Sequence, residues 1–295
     1  LHLACLALGL GPGDLLWTSP NSFVASANCA RYCGAEVDFV DIDPLTWNLD
    51  VRALADKLER ARALGRLPKV LVAVAFSGQS CDMAEIARLA REYGFRVIED
   101  AAHALGASYA GEPVGSGRYD DLTVFSFHPV KIVTSGEGGM VLCNAPELAR
   151  RLRDLRSHGI TRDPARMSEP SHGGWYYQQT ELGFNYRMCD IQAALGLSQL
   201  SRLDAFLARR RELAARYQHL LADLPVQLPA MQAQAGSAWH LYVVRLDERL
   251  ENRHREIFEA LRGAGIGVNL HYIPIHLQPY YRELGFADGD FPEAE

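Results

Sequence analysis

The sequence has no hydrophobic run long enough to cross a bilayer. Two apolar, uncharged stretches, Leu1 to Gly13 and Val70 to Cys81, fall short of the roughly 20 apolar residues a spanning helix needs, and no basic segment precedes the first. It has no excess of positive charge either: 30 Lys and Arg stand against 36 Asp and Glu, a net charge of -6. The one dense basic run, Arg209 to Arg211, lies inside a helical pattern of alternating sign, which argues against a nucleic-acid footprint. Cysteine is sparse. Cys5, Cys29, Cys33, Cys81, Cys143 and Cys189 fall in apolar stretches without C-x-x-C pairs or a nearby histidine pattern. They read as buried, reduced thiols, which points to a cytoplasmic protein with no metal site. No G-x-G-x-x-G follows the first strand, so a dinucleotide-binding oxidoreductase is set aside. Internal repeats and low-complexity tracts are absent. What the chain has in quantity is apolar: 48% of 295 residues are hydrophobic, enough for folding to bury roughly 75% of the chain's surface.

Short β-rich runs alternate with amphipathic helical ones. Strands are expected at Leu15–Thr18, Val37–Asp41, Val70–Phe76, Arg96–Glu99, Leu122–Phe127 and Met140–Cys143, and helices at Ser22–Cys33, Val51–Leu64 and Met83–Tyr93. This alternation predicts an α/β fold, a mostly parallel sheet with helices on both faces, in which ligands collect at the carboxyl ends of strands. Met188 to about Leu221 reads as one long helix or two with a kink. A strand at His240–Leu246, a helix at Arg253–Arg262 and an extended run at Gly267–Ile273 follow. The pattern divides into a large domain, 1–222, and a smaller α+β one, 223–295. Ser157 to Gln179 forms a long irregular loop of the kind that is often functional. Both ends read as cut: Leu1 stands inside a helical pattern closed by Gly11-Pro12-Gly13, and the chain stops in a polar segment after Phe291-Pro292.

Two segments carry chemistry. Val97-Ile98-Glu99-Asp100-Ala101-Ala102-His103 is an apolar strand whose carboxyl end delivers two acids and a histidine to the crevice of such a sheet. Alone, Asp100 reads equally well as a helix cap or a turn residue. Thirty-one residues later, the strand ending at Phe127 is followed by His128-Pro129-Val130-Lys131 and by Gly136-Glu137-Gly138-Gly139. An exposed loop lysine is the bland reading of Lys131. A lysine aimed into a cleft, by contrast, loses basicity and becomes the nucleophile that Schiff-base chemistry requires. An aspartate complements such a lysine where it keeps the ring nitrogen of pyridoxal phosphate protonated.

Asn21-Ser22-Phe23-Val24-Ala25-Ser26, Phe39-Val40-Asp41-Ile42-Asp43, Glu99-Asp100-Ala101-Ala102-His103, Phe125-Ser126-Phe127-His128-Pro129-Val130-Lys131 and Leu182-Gly183-Phe184-Asn185-Tyr186-Arg187 occur in this order. Together they resemble the nucleotide-sugar aminotransferases of the DegT/DnrJ/EryC1/StrS family over essentially the whole chain. The resemblance implies the fold type I architecture of pyridoxal 5'-phosphate enzymes. It makes Lys131 the Schiff-base lysine and proton shuttle, and Asp100 the partner of the pyridinium nitrogen. Phe23 would stack on the cofactor ring, His103 would stand beside the ring and its 3-hydroxyl, and Ser126 would bind the phosphate. Asn185 would reach that phosphate from the other subunit of a homodimer. Asn28 to Ala35 and Val268 to Pro274 are most similar to the pseudaminic acid transaminases. That likeness implies transfer of an amino group from L-glutamate to C4 of a UDP-linked 4-keto-6-deoxy-N-acetylhexosamine. It also places Tyr186, Arg187, His271, Tyr272 and His276 near the sugar nucleotide, although a His-Tyr-x-Pro run is also a common packed strand end.

In the family the phosphate also rests on a Gly-Thr/Ser-Ser-Ala turn at a helix N-terminus. Here that helix is already under way at Leu1, so the turn is absent from the sequence, as is the end of the second domain; a fragment of a longer reading frame is expected. Three alternatives stay open. Relatives with histidine in place of the Schiff-base lysine are dehydratases, against which Lys131 argues. Others aminate C3 or a different ketosugar. A non-enzymatic or impaired member would be expected to lose Asp100 or Lys131, and both are present.

Overall fold

The computed structural model describes residues 1–295, apart from the side chain of Glu251. Runs of β-branched and apolar residues set its strands. These are β1 (Leu15–Thr18), β2 (Glu36–Phe39), β3 (Val70–Val74) and β4 (Arg96–Asp100), a small hairpin of β5 (Ser108–Tyr109) and β6 (Glu112–Pro113), then β7 (Leu122–Ser126) and β8 (Gly139–Leu142). The main sheet has the order β2-β1-β3-β4-β7-β8, parallel throughout except where β8 runs against β7. Every residue of β3 is buried, which an all-apolar segment in the middle of a covered sheet requires.

Helices cover both faces. α1 (His2–Ala7), α2 (Ala25–Tyr32) and α5 (Pro146–Arg156) pack Cys5, Ala27, Ala30 and Leu155 on Val70, Val72, Ile98 and Leu122. On the opposite face α3 (Val51–Ala63) and α4 (Met83–Tyr93) pack Leu54, Leu58, Ile86 and Leu89 on Leu71 and Val97. Local signals set the helix limits. Asp50 and Asp82 accept hydrogen bonds from Arg52 N and Glu85 N at the two starts, and Gly94, with φ +80°, ends α4 in the left-handed conformation. The expected α/β fold type I architecture is therefore present.

Three expectations are corrected. β3 stops at Val74, two residues short of Phe76, because residues 76–78 turn, with Ser77 at φ 56°. The strand expected at His240–Leu246 shrinks to Arg245–Leu246, paired with Val226–Gln227. Its upstream part crosses the 76–78 turn instead, where Ala238 N donates to Gly78 O (2.9 Å) and Leu241 N to Ser77 O (3.2 Å). Only glycine permits this crossing, since Gly78 has φ +111° and a Cβ there would sit 2.8 Å from Trp239 N. The run Gly267–Ile273, expected to be extended, lies outside any helix or strand. Finally, four cysteines are buried and all six are unpaired, but Cys189 is exposed and Cys143 half-buried. The long helical pattern resolves into two helices, α6 (Asp190–Leu200) and α7 (Leu203–Leu220), and α8 (His254–Gly263) follows.

Successive residues of β4 point to opposite faces, and this alternation separates its two acids. Glu99 lies on the α4 face and accepts a hydrogen bond from Ser80. Burial, with Asp120 and Asp100 adding to it, pushes its carboxyl up to about 8. A carboxyl that is harder to ionise when folded contributes stability below its unfolded value, near 4.5, and this contribution is lost as pH rises through about 8. At about 1.4 kcal/mol per unit, the loss amounts to a few kcal/mol. Thermal melts of Glu99→Gln and wild type should therefore diverge from pH 5 to pH 8, the variant gaining relative stability. Parallel curves would show that Glu99 is ionised in the fold.

Candidate active site

Asp100, the last residue of β4, is buried on the face covered by α2. Its Oδ2 accepts from Ser26 Oγ at 2.7 Å, and Oδ1 accepts from Ala102 N at 3.2 Å. Ser26 in turn meets Ser22 Oγ at 2.9 Å, so one turn of α2 and its lead-in hold the carboxylate in place. No cation forms an ion pair with it among the described residues.

The neighbouring strand brings the amine. Asp100 is in register with Val124, which places Ser126 two residues further along β7 on the same face. Lys131 follows in a turn closed by Lys131 N donating to His128 O at 3.0 Å. It is half-buried and makes no ion pair among the described residues. Burial lowers its affinity for a proton, against the pull of the Asp100 carboxylate. The same field reaches three imidazoles and a phenol. His103 is held well below the usual range by burial and then by Lys131, His240 and His271. Burial, with Lys131 adding to it, also lowers His271, and burial beside Asp100 pushes Tyr272 up to about 12. Phe23 stands at the lead-in to α2 with 61% of its surface exposed, its ring 6.4 Å from that of Tyr272.

The structure thus brings together Asp100, Lys131, His103, His271, Tyr272, Phe23 and Ser126. It separates others. His276 is a correction: its ring is fully buried against Phe39 and Phe291, with Nε2 2.8 Å from Glu295 Oε1, so it packs the C-terminal segment and is closed to a sugar nucleotide. Tyr186 packs on Phe184 and lies 3.4 Å from His2 Nδ1. Arg187 and Asn185 are exposed, the latter bridging Ser157 through its backbone. Two members had no role assigned from the sequence. Ser26 was legible as the partner of Ser22 at helical i,i+4 spacing. His240 sits in the crossing that was expected to be a strand, and no local pattern marks it.

Ser26→Ala deletes one charge-assisted hydrogen bond to Asp100. Cofactor binding, followed by fluorescence titration, is expected to weaken roughly tenfold. Unchanged affinity would mean that the carboxylate holds its place without Ser26.

Comparison with known proteins agrees with this fold. The family model of the DegT/DnrJ/EryC1/StrS aminotransferases matches residues 1–295. The spore coat polysaccharide biosynthesis protein SpsC of Bacillus subtilis is 42% identical, over 100% of this chain and 74% of its own. The GDP-perosamine synthase of Caulobacter vibrioides is 39% identical, over 100% and 75%. A UDP-4-amino-4,6-dideoxy-N-acetyl-beta-L-altrosamine transaminase of Campylobacter jejuni is 38% identical, over 96% and 72%. Among solved structures, the putative sugar aminotransferase Spr1654 of Streptococcus pneumoniae in its PMP form superposes with a TM-score of 0.88 at 30% identity, covering 99% of this chain and 76% of that one. The same protein is known in a PLP form. With the motifs, the fold and these relatives in agreement over its whole length, the chain belongs to the DegT/DnrJ/EryC1/StrS aminotransferase family.

Proposed function

We propose that the protein transfers the amino group of L-glutamate to C4 of a UDP-linked 4-keto-6-deoxy-N-acetylhexosamine. The observation that carries the reading is the pairing, at the carboxyl ends of adjacent strands, of a buried, cation-free Asp100 with the half-buried amine of Lys131. The family's cofactor is pyridoxal phosphate. The donor set suits it: Asp100 offers a fixed anion to a ring N–H, His103 and the exposed face of Phe23 flank the ring position, and Ser126 offers a hydroxyl to the phosphate. When bound, the cofactor supplies an electron sink for the carbon that loses its proton.

The residues do the rest. Lys131 Nζ, made less basic by burial, takes the proton from Cα of glutamate and later delivers one to C4 of the sugar. Glutamate leaves as 2-oxoglutarate, and the C4 carbonyl becomes an amine. Asp100 keeps its charge against the ring throughout. His271 and Tyr272 flank the same cleft, where they are available to hydroxyl or diphosphate oxygens of the sugar nucleotide.

A homodimer completes the site in this reading. α6 carries no buried residue, and Ile191 and Leu195, at i,i+4 spacing on one face, are 84% and 41% exposed, apolar surface that a second copy would cover. Exposed Asn185 lies close by in sequence and would serve the partner's phosphate. Six unpaired cysteines favour a cytoplasmic setting; no described helix is long and apolar enough to cross a membrane.

The test supplies the purified protein with pyridoxal phosphate, L-glutamate and either a UDP-linked or a GDP-linked 4-keto-6-deoxy sugar, and follows 2-oxoglutarate and the amino sugar by NMR. Equimolar 2-oxoglutarate and a 4-amino UDP-sugar are expected. Turnover with the GDP-sugar alone, as the Caulobacter vibrioides relative's name would suggest for this chain, overturns the UDP assignment. An amine at C3 overturns the regiochemistry.

A further inference from the structure

Beside His103 stands a second imidazole that the catalytic reading does not use. His240 arrives on the crossing over Gly78, and its ring centroid lies 4.4 Å from that of His103, at 41°. The approach is firmly built. Arg210 of α7 donates from Nη1 to both Trp239 O (2.9 Å) and His240 O (3.1 Å), and Ala238 and Leu241 are tied to the 76–78 turn. A Cβ on Gly78 would stand 3.0 Å from both His240 N and His103 O, so the two histidine segments converge on one glycine.

The polar atoms of the pair are the informative part. His103 Nδ1 and His240 Nδ1 are both buried, and neither has a hydrogen-bond partner. An imidazolium carries an N–H on each nitrogen, so protonating either ring would bury an N–H with no acceptor as well as a charge. The His240 ring packs against His103 without supplying an acceptor to its Nδ1. The surrounding charges oppose protonation too. Lys131 and His271 face both rings, and the Arg210 guanidinium faces His240, which burial together with these neighbours pushes down to about 3.

We propose that His240 is a positioning residue for His103: it packs as a non-accepting ring against His103, fixes its plane and keeps it neutral. This rests on the reading that His103 flanks the cofactor ring. There a neutral imidazole donates one hydrogen bond to an oxygen on the ring without bringing a second positive charge against Lys131. The pair therefore sets how His103 addresses the cofactor, while His240 touches neither cofactor nor substrate.

The test has two readouts. The first is imidazole NMR on the cofactor-free protein, with His103 assigned by substitution and titrated from pH 5 to pH 9. Wild type is expected to show His103 neutral over that range. His240→Phe, which keeps a ring and has no acceptor, should behave the same way. His240→Gln offers an amide oxygen and should raise the His103 midpoint by about one unit or more. A His103 already charged at pH 7 in wild type overturns the proposal, and so does a His103 titration that His240→Phe and His240→Gln move equally or not at all. The second readout is the pH dependence of cofactor absorbance in the loaded protein. If the NMR midpoint moves in His240→Gln and the absorbance titration moves with it, both the pairing and the placement of His103 stand. If only the NMR midpoint moves, the pairing stands and the placement of His103 against the cofactor falls.

Discussion

Lys131→Ala is expected to abolish turnover, by roughly 10⁴-fold or more, while the fold survives. Lys131 is half-buried, lies at a turn after β7 and makes no ion pair among the described residues, so its removal breaks no salt bridge of the fold. What disappears is the amine proposed above to attach the cofactor and to move protons at Cα and C4, two contributions that general-base and covalent catalysis place at several powers of ten. Borohydride reduction followed by peptide mapping should mark Lys131 in wild type and no residue in the variant. Lys131→Arg sharpens the result. It restores a cation beside Asp100, yet guanidinium stays protonated at any usable pH and cannot serve as nucleophile or base. Arginine should therefore be as inactive as alanine, and appreciable turnover in either variant would remove Lys131 from the centre of the reaction.

Asp100→Asn is expected to lower the rate roughly 10²- to 10³-fold with little change in melting temperature. The amide has the carboxylate's shape, can accept from Ala102 N, and can satisfy Ser26 by rotation of its hydroxyl. It has no charge to hold a proton on a ring nitrogen. Asp100→Glu complements it, since the charge is kept but the longer side chain must displace Ser26. A single-turnover measurement with L-glutamate separates the cases: a normal half-reaction in Asp100→Asn would mean that the carboxylate orients the site without acting electrostatically.

Much of this was legible in the sequence because the decisive residues sit in regular structure. The Met83–Tyr93 helix appears with the limits expected, and in the structure Asp82 caps its start and Gly94 ends it. Asp100 and Lys131 follow adjacent strands, so knowing where strands end was enough to bring them together. Where backbone conformation departs from local preference, the reading failed. Nothing in Phe76-Ser77-Gly78 announces that Ser77 adopts positive φ or that Gly78 admits a second segment of the chain, so the part of the crossing from His240 onward was expected as the start of a strand. His276 failed for another reason. A His-x-x-x-x-His spacing in an irregular segment does not say which way either ring turns, and here His271 faces the cleft while His276 turns into the core.

The alternation along β4 has a further consequence. Glu99 and Asp100 are chemically near-identical neighbours, and only the pleat sets one among α4 residues beside Ser80 and the other in the cleft beside Ser26. Sliding β4 by one residue against β3 and β7 would present Glu99 to Ser26 and turn Asp100 towards Ser80. Strand registration is thus the device that decides which acid faces the cleft. A single-residue insertion or deletion between Arg96 and Asp100 would exchange the two acids even if the sheet re-formed, and the strand is intolerant of length change for a chemical as well as a structural reason.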